Sequence, residues 1–180
     1  MLKPEESVIV FIDVQGKLAQ IMHQTESLHN KLTGLILGAQ LFEMPIVWLE
    51  QLPDKLGATA EPLNSLLAQT SSPIAKHHFS AWPCEAFRNQ LAELGRKNII
   101  IAGIEAHICV YQTCSDLIDQ GFNLHVVSDC VSSRTAENKN LGIQMMQAKG
   151  AQVTGLETLL FELQHEAQGE RFKKLLKIIK

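Results

Sequence analysis

Cys109 stands where an apolar run gives way to helical spacing, and a thiol at such a junction can act as a nucleophile. The run Asn98-Ile-Ile-Ile-Ala-Gly103 is β-branched and continuous, the signature of a strand covered on both faces. From about His107 to Gln120 the apolar positions Ile108, Tyr111, Cys114 or Ser115, and Ile118 recur at helical steps, which places Cys109 in the first turn of a helix. Unpaired N–H groups and the positive end of the helix dipole at that turn favour a thiolate over a thiol. The same logic expects Cys109 to be the thiol alkylated fastest by iodoacetamide. On the thiol alone the competing reading, a small buried hydrophobe, is the commoner fate of a free cysteine.

Two further charged groups stand in similar places. Ser7-Val-Ile-Val-Phe-Ile-Asp13 is an apolar run closing on a carboxylate; Asp13 reads either as a charge at a strand end or as a turn aspartate ahead of Gly16. Lys76 lies in Pro73-Ile-Ala-Lys-His-His-Phe-Ser-Ala-Trp82, a short strand running into a loop. Its stem can be partly buried between Ala75 and His77, although a solvated lysine is the default.

The elements needed to position these groups follow in order. Leu18 to Ala39 repeat at three- and four-residue steps, an amphipathic helix over about 17–40 with a break near Thr25. Met44 to Leu49 is a second strand. Residues 50–72 carry Pro53, Gly57 and Pro62 and form a long connection of the kind that lines a site. Cys84 to Leu94 is a helix stopped by Gly95, and Asn123 to Asp129 is a strand closing on another carboxylate. Thr135 to Lys149 is a helix with Leu141, Met145 and Met146 inward, Ala151 to Thr154 a short strand, and Glu157 to Gln164 a helix. The tail 170–180 has Phe172, Leu175, Leu176 and Ile179 on one side and basic residues on the other, which fits packing on the body or a neighbouring subunit better than a membrane surface. This alternation makes an α/β domain with a mostly parallel sheet, whose strands deliver Asp13, Lys76 and Cys109 to one carboxyl edge, where such folds bind ligands.

Composition narrows the function classes. A chain of 180 residues supports one sizeable core, hence one domain over 1–180 with a helical tail from about 168. The net charge of −3 argues against a nucleic-acid partner. No apolar stretch approaches the ~20 residues that span a bilayer, and the amino terminus lacks a basic-then-apolar leader, so a cytoplasmic protein without a membrane partner is expected. Cys84, Cys109, Cys114 and Cys130 show no metal-like spacing and read as free thiols. No glycine-rich phosphate loop is present, so no nucleotide cofactor is expected.

In order and spacing, Phe-Ile-Asp13-Val-Gln15, Ala-Lys76-His-His-Phe-Ser-Ala, Gly103-Ile-Glu-Ala-His-Ile-Cys109-Val-Tyr-Gln-Thr113 and Ser-Asp129-Cys-Val-Ser-Ser-Arg134 resemble the isochorismatase-like cysteine hydrolases. Glu157-Thr-Leu-Leu-Phe-Glu-Leu163 resembles the isochorismatase-domain hydrolases within that family. The resemblance implies a three-layer Rossmann-like fold with a six-stranded, mostly parallel sheet, and a catalytic Asp13, Lys76 and Cys109. It also implies a cis peptide between Ile104 and Glu105, with the N–H groups of Glu105 and Cys109 forming an oxyanion hole. In that scheme Asp13 takes the thiol proton, Lys76 supports the pair, and a C–N bond of a small amide or ureido substrate is cleaved through a thioester. A homo-oligomer, dimer or tetramer, is also implied. The metal-binding members carry Asp-x-His after the second strand, whereas here Glu50-Gln-Leu-Pro53 lacks the histidine, so no metal is expected and His77 and His78 read as pocket-wall or surface residues. Gln15, Gln51, Trp82, His107 and Tyr111 are candidates for the substrate pocket, and Asp129 and Arg134 for structural bonding after the fifth strand. Two alternatives stay open: hydrolysis of a non-amide bond such as an enol ether, and a catalytically silent assembly protein.

Overall fold

Strands β1 (Ser7–Ile12), β2 (Ile46–Gln51), β3 (Pro73–Lys76), β4 (Asn98–Ile104), β5 (Asn123–Ser132) and β6 (Gln152–Thr154) form one six-stranded sheet in the order β3-β2-β1-β4-β5-β6 in the computed structural model, which describes residues 1–180. Every pairing is parallel. The central strands are buried throughout because helices cover both faces, which is why their sequences show no polar alternation. Ile9 and Phe11 pack on one side with α2 (Thr25–Leu41), α8 (Leu156–Gln164) and α9 (Gly169–Ile178). Val8, Val10 and Ile12 pack on the other with α5 (Glu85–Leu94), α6 (Tyr111–Asp119) and α7 (Ala136–Lys149). The short helices α1 (Gly16–Gln20), α3 (Pro53–Leu56) and α4 (Leu63–Leu67) belong to the connections after β1 and β2.

This strand order has its switch point between β1 and β4: the chain leaves β1 towards β2 and β3, then returns to the other side. Connections diverging from adjacent strands leave a crevice beyond their carboxyl ends. Asp13 follows β1 and Cys109 follows β4, so both border that crevice. At Gly103, φ is +123°, and a Cβ there would run into the Ile12 carbonyl oxygen; glycine lets β4 lie against β1 directly below the site.

The break expected near Thr25 and the tail expected to pack on the body are both present, whereas one strand runs further than its sequence suggests. The 17–40 helix is two helices, broken at Gln24 with φ +52°, where the Thr25 hydroxyl donates to the Ala19 carbonyl at 2.6 Å. β5 does not end at Asp129 but continues to Ser132, with a register shift opposite Ile101/Gly103. The tail folds as α9 and buries Leu175 against the body, with Phe172, Ile178 and Ile179 packed beside it. No helix is long and apolar enough to cross a membrane.

The inward face of α7 is also rotated from expectation. Leu141 is 49% exposed, whereas Gly142 and Met146 are buried. The reason is close approach: a Cβ on Gly142 would collide with the backbone of Ala106 and His107. A turn carrying the nucleophile candidate thus rests on a glycine. Gly142→Ala should cost about 1–3 kcal/mol by overpacking, read as a lowered urea midpoint, and should slow any Cys109-dependent chemistry more than an alanine at exposed Gln144 does.

Candidate active site

Asp13 occupies the left-handed region, φ +53°, which a short polar side chain tolerates at a sharp turn. The turn aims its carboxylate into the crevice, where it is 2% exposed. Lys76, at the end of edge strand β3, is 3% exposed and sends its ammonium back across β2 to the same point. Its Nζ lies 2.6 Å from Asp13 Oδ2, 2.6 Å from Gln51 Oε1, 3.0 Å from the Phe79 carbonyl and 3.2 Å from the His78 carbonyl. An ammonium has three N–H donors, so four oxygens hold it as a fixed cation with no proton directed at a ligand.

The Cys109 thiol, 8% exposed, lies near enough to that carboxylate for the two groups to interact. Asp13 Oδ1 is buried without a hydrogen-bond partner of its own, and the thiol proton is the one that interacts with this carboxylate. Burial pushes the Asp13 carboxyl above its ordinary 3.8, with Lys76 opposing the shift. Burial, reinforced by the Asp13 charge, pushes the Cys109 thiol up to about 12, against the pull of Lys76.

The resting sulfur is therefore a neutral thiol, which corrects the expectation of a stabilised thiolate. Cys109 lies in a π-helical turn, Ala106–Val110, leading into α6, instead of an α-helical first turn, and burial is the largest cause of its upward shift. Alkylation of the resting protein by iodoacetamide should consequently modify Cys84, which is partly exposed at the start of α5, before buried Cys109. Peptide mass spectrometry of a time course reads the order. The raised Asp13 carboxyl carries its own consequence, because the base form is lost as pH falls through its pKa. The acid limb of kcat/KM should lie above pH 3.8, and a pH–rate profile with its limb at or below that value would remove Asp13 as the base.

The Ile104–Glu105 peptide is cis. The Glu105 N–H donates to no acceptor within the chain, whereas the Glu105 carbonyl accepts from Ile108 and Val110. The Glu105 side chain accepts from the Arg134 backbone N–H at 3.1 Å and from Arg134 Nε at 3.2 Å. Arg134 thus braces the residue that opens the turn, and Asp129 accepts from the Leu156 N–H at 2.8 Å at the start of α8.

The pocket candidates separate into different roles. Gln15 is fully buried and all of its amide is engaged: Oε1 accepts from the Gln51 N–H at 2.6 Å, and Nε2 donates to the Gln51 and Gly57 carbonyls at 3.0 and 2.7 Å. It clamps the loop after β1 to the end of β2, with both amide N–H groups engaged. Gln51 is likewise committed, to Lys76 through Oε1 and to the His77 carbonyl through Nε2. Through Oε1 it orients the ammonium. Trp82 packs edge-on to Phe122 with ring centroids 6.4 Å apart and under the Arg88 guanidinium. His107 and Tyr111 are half-buried on the turn and helix of Cys109, and His107 Nδ1 is 2.9 Å from the Ser133 hydroxyl. The His78 and Phe79 carbonyls were not legible in the sequence, since any residue supplies a carbonyl.

Glu50 is spent on structure: Oε1 accepts from the Thr59 N–H at 2.6 Å and hydroxyl at 2.8 Å, and Thr59 accepts from Trp48 Nε1. His77 and His78 lie against one another, ring centroids 4.2 Å apart. No three His, Cys, Asp or Glu side chains gather as a metal-ligand set.

A doubly wound parallel sheet with a carboxylate, a fixed ammonium and a buried thiol gathered at its switch point is the architecture of this protein. The chain belongs to the isochorismatase family, whose isochorismatase domain matches residues 7–158. Its relatives include the secreted isochorismatase effector Isc1 of Phytophthora sojae, 33% identical over 99% of this chain and 87% of that one. Among solved structures, the MAR1 ribonuclease of Caenorhabditis elegans superposes with a TM-score of 0.88 at 31% identity, over 99% of this chain and 91% of that one. YcaC of Pseudomonas aeruginosa, solved with hexane-2,5-diol and covalent acrylamide, shares the fold with a TM-score of 0.91 at 22% identity, over 98% and 90% of the two chains.

Proposed function

We propose that this protein is a cysteine-dependent hydrolase that cleaves a C–N bond of a small amide or ureido-type substrate. The observation that carries this reading is one buried carboxylate held by Lys76 at 2.6 Å on one oxygen and interacting with the Cys109 thiol. As the substrate carbonyl closes on Cys109, Asp13 takes the thiol proton and the sulfur forms the S–C bond. The carbonyl electron pair moves to oxygen, where the Glu105 and Cys109 N–H groups receive it; each such donor is commonly worth ~3 kcal/mol. When the C–N bond breaks, Asp13 returns the proton to the departing amine. Water, deprotonated by Asp13, then cleaves the thioester (a thiocarbamate for a ureido substrate) and restores the thiol. Lys76 opposes the upward shift that burial imposes on Asp13, so that the carboxylate is available in its base form.

The fold shared with a nicotinamidase of Bacillus subtilis, TM-score 0.75 at 16% identity, fits amide chemistry at this sheet edge. RNA is a poorer match despite the ribonuclease relative: the site's ammonium is engaged by four oxygens and the chain is net −3, whereas phosphate backbones are bound by available cations. We further read the protein as a homo-oligomer, and its four free cysteines as fitting a reducing compartment such as the cytoplasm. The test is a panel of small amides, ureido compounds and nicotinamide, assayed for ammonia release and by rapid-quench intact-mass spectrometry. An acyl adduct on Cys109 with amine release is the expected result. Turnover of an enol ether with no adduct would replace the amidase reading, and inertness across both classes would favour the silent assembly protein.

A further inference from the structure

We propose that Thr113 and Asp116 are positioning residues for the reaction, fixing Lys76 relative to Cys109 by tying the loop after β3 to α6. The two groups come from strands that are not neighbours, since β2 and β1 lie between β3 and β4. Something other than sheet pairing must therefore set their spacing. Two of the four oxygens on the ammonium are the His78 and Phe79 carbonyls, and the Phe79 side chain is 56% exposed, so burial does not hold the tip of that loop.

Side chains of α6 hold it instead. The Ser80 hydroxyl donates to Asp116 Oδ2 at 2.6 Å, the Ala81 N–H donates to Thr113 Oγ1 at 3.0 Å, and the Trp82 N–H donates to Ser80 Oγ at 3.1 Å. Thr113 and Ala81 are fully buried, where a lost partner leaves an N–H unsatisfied. α6 continues directly from the turn that carries Cys109, so Thr113 and Asp116 follow the thiol by about one and two helical turns, roughly 6 and 10 Å along one rigid axis. One helix thus carries the nucleophile at its start and anchors the loop that cradles the cation further down.

The turnover arm of the test rests on the hydrolase reading; a second arm does not. In Thr113→Val and Asp116→Ala, kcat/KM should fall roughly 10- to 100-fold through kcat. Its acid limb should move to higher pH, because a loosened Lys76 no longer opposes the upward shift of Asp13. Thr113→Ser and Asp116→Asn, which keep an acceptor oxygen, should restore both. Independently of turnover, alkylation of the Cys109 peptide between pH 8 and 10, followed by mass spectrometry, should slow several-fold in the first pair of variants and recover in the second. Unchanged pH limb and alkylation profile in Thr113→Val and Asp116→Ala would overturn the inference, whatever happens to their melting temperatures, as would failure of the conservative pair to restore them. A shifted alkylation profile in a protein that hydrolyses no amide would sink the reaction and leave the positioning role standing.

Discussion

Cys109→Ala is expected to lower turnover of an authentic amide substrate by about 10⁵- to 10⁶-fold, the loss typical of removing a nucleophile from a unit that acts together. The fold should survive. The substitution removes one sulfur atom from a position already 8% exposed, so the stability cost is about 1 kcal/mol, the lower end of large-to-small changes. It also removes the thiol proton that stabilises the Asp13 carboxylate, so Asp13 should shift further upward in the variant. Circular dichroism and urea unfolding check the fold, steady-state kinetics check the rate, and the rapid-quench adduct should vanish with the sulfur. Hydrolysis within a factor of ten of wild type would show that the carbonyl carbon is attacked by something else, water activated by Asp13 being the first candidate. Asp13→Asn makes the complementary case: the carboxylate that raises the Cys109 thiol is gone, but so is the base that would accept its proton, and the loss should be of similar size because the groups are not additive.

Lys76→Met has the largest expected effect on stability. Lys76 is the cation beside a carboxylate that is 2% exposed, and breaking a buried pair from one side strands the other charge at a cost of about 3–5 kcal/mol. Gln51 Oε1 and the His78 and Phe79 carbonyls lose their donor in the same step. For a domain of this size the loss corresponds to roughly 6–20 °C in Tm. The pH dependence is specific. Asp13 already titrates above 3.8 in the folded protein, because burial outweighs the Lys76 charge; without Lys76 its folded pKa rises further. The folded state then holds a proton that the unfolded chain releases, so stability falls as pH rises from 3.8 towards the folded pKa. The deficit relative to wild type should therefore be small near pH 4 and grow towards neutrality. Urea denaturation at pH 4, 5.5 and 7.5 measures it, and a deficit independent of pH would show that Asp13 is not the stranded charge.

Much of the architecture was legible because it is local. The continuous apolar runs ending at Asp13 and Leu49, and the Ile99–Ile101 run, declare strands buried on both faces, and alternation with helices dictates a parallel sheet whose carboxyl ends share an edge. What misled the reading was non-local. Leu141 belongs to an apolar stripe by spacing, yet backbone contact at Gly142 turns α7 the other way. Gln15 looks like a free polar group near the site, but its amide closes a backbone clamp across two strands, a partner invisible at a separation of 36 residues.

By itself, the sequence determined which chemistry-bearing side chains exist, and that each stands at the end of a strand, because side-chain type and hydrophobic period are properties of neighbouring residues. Only the tertiary structure decided what those groups are in the resting protein. The protonation of Cys109, the fourfold grip on Lys76 and the commitment of Gln51 depend on distances and burial set by segments far apart in the chain. Electrostatic energy in a desolvated crevice responds to those distances and to nothing that a linear order of residues contains.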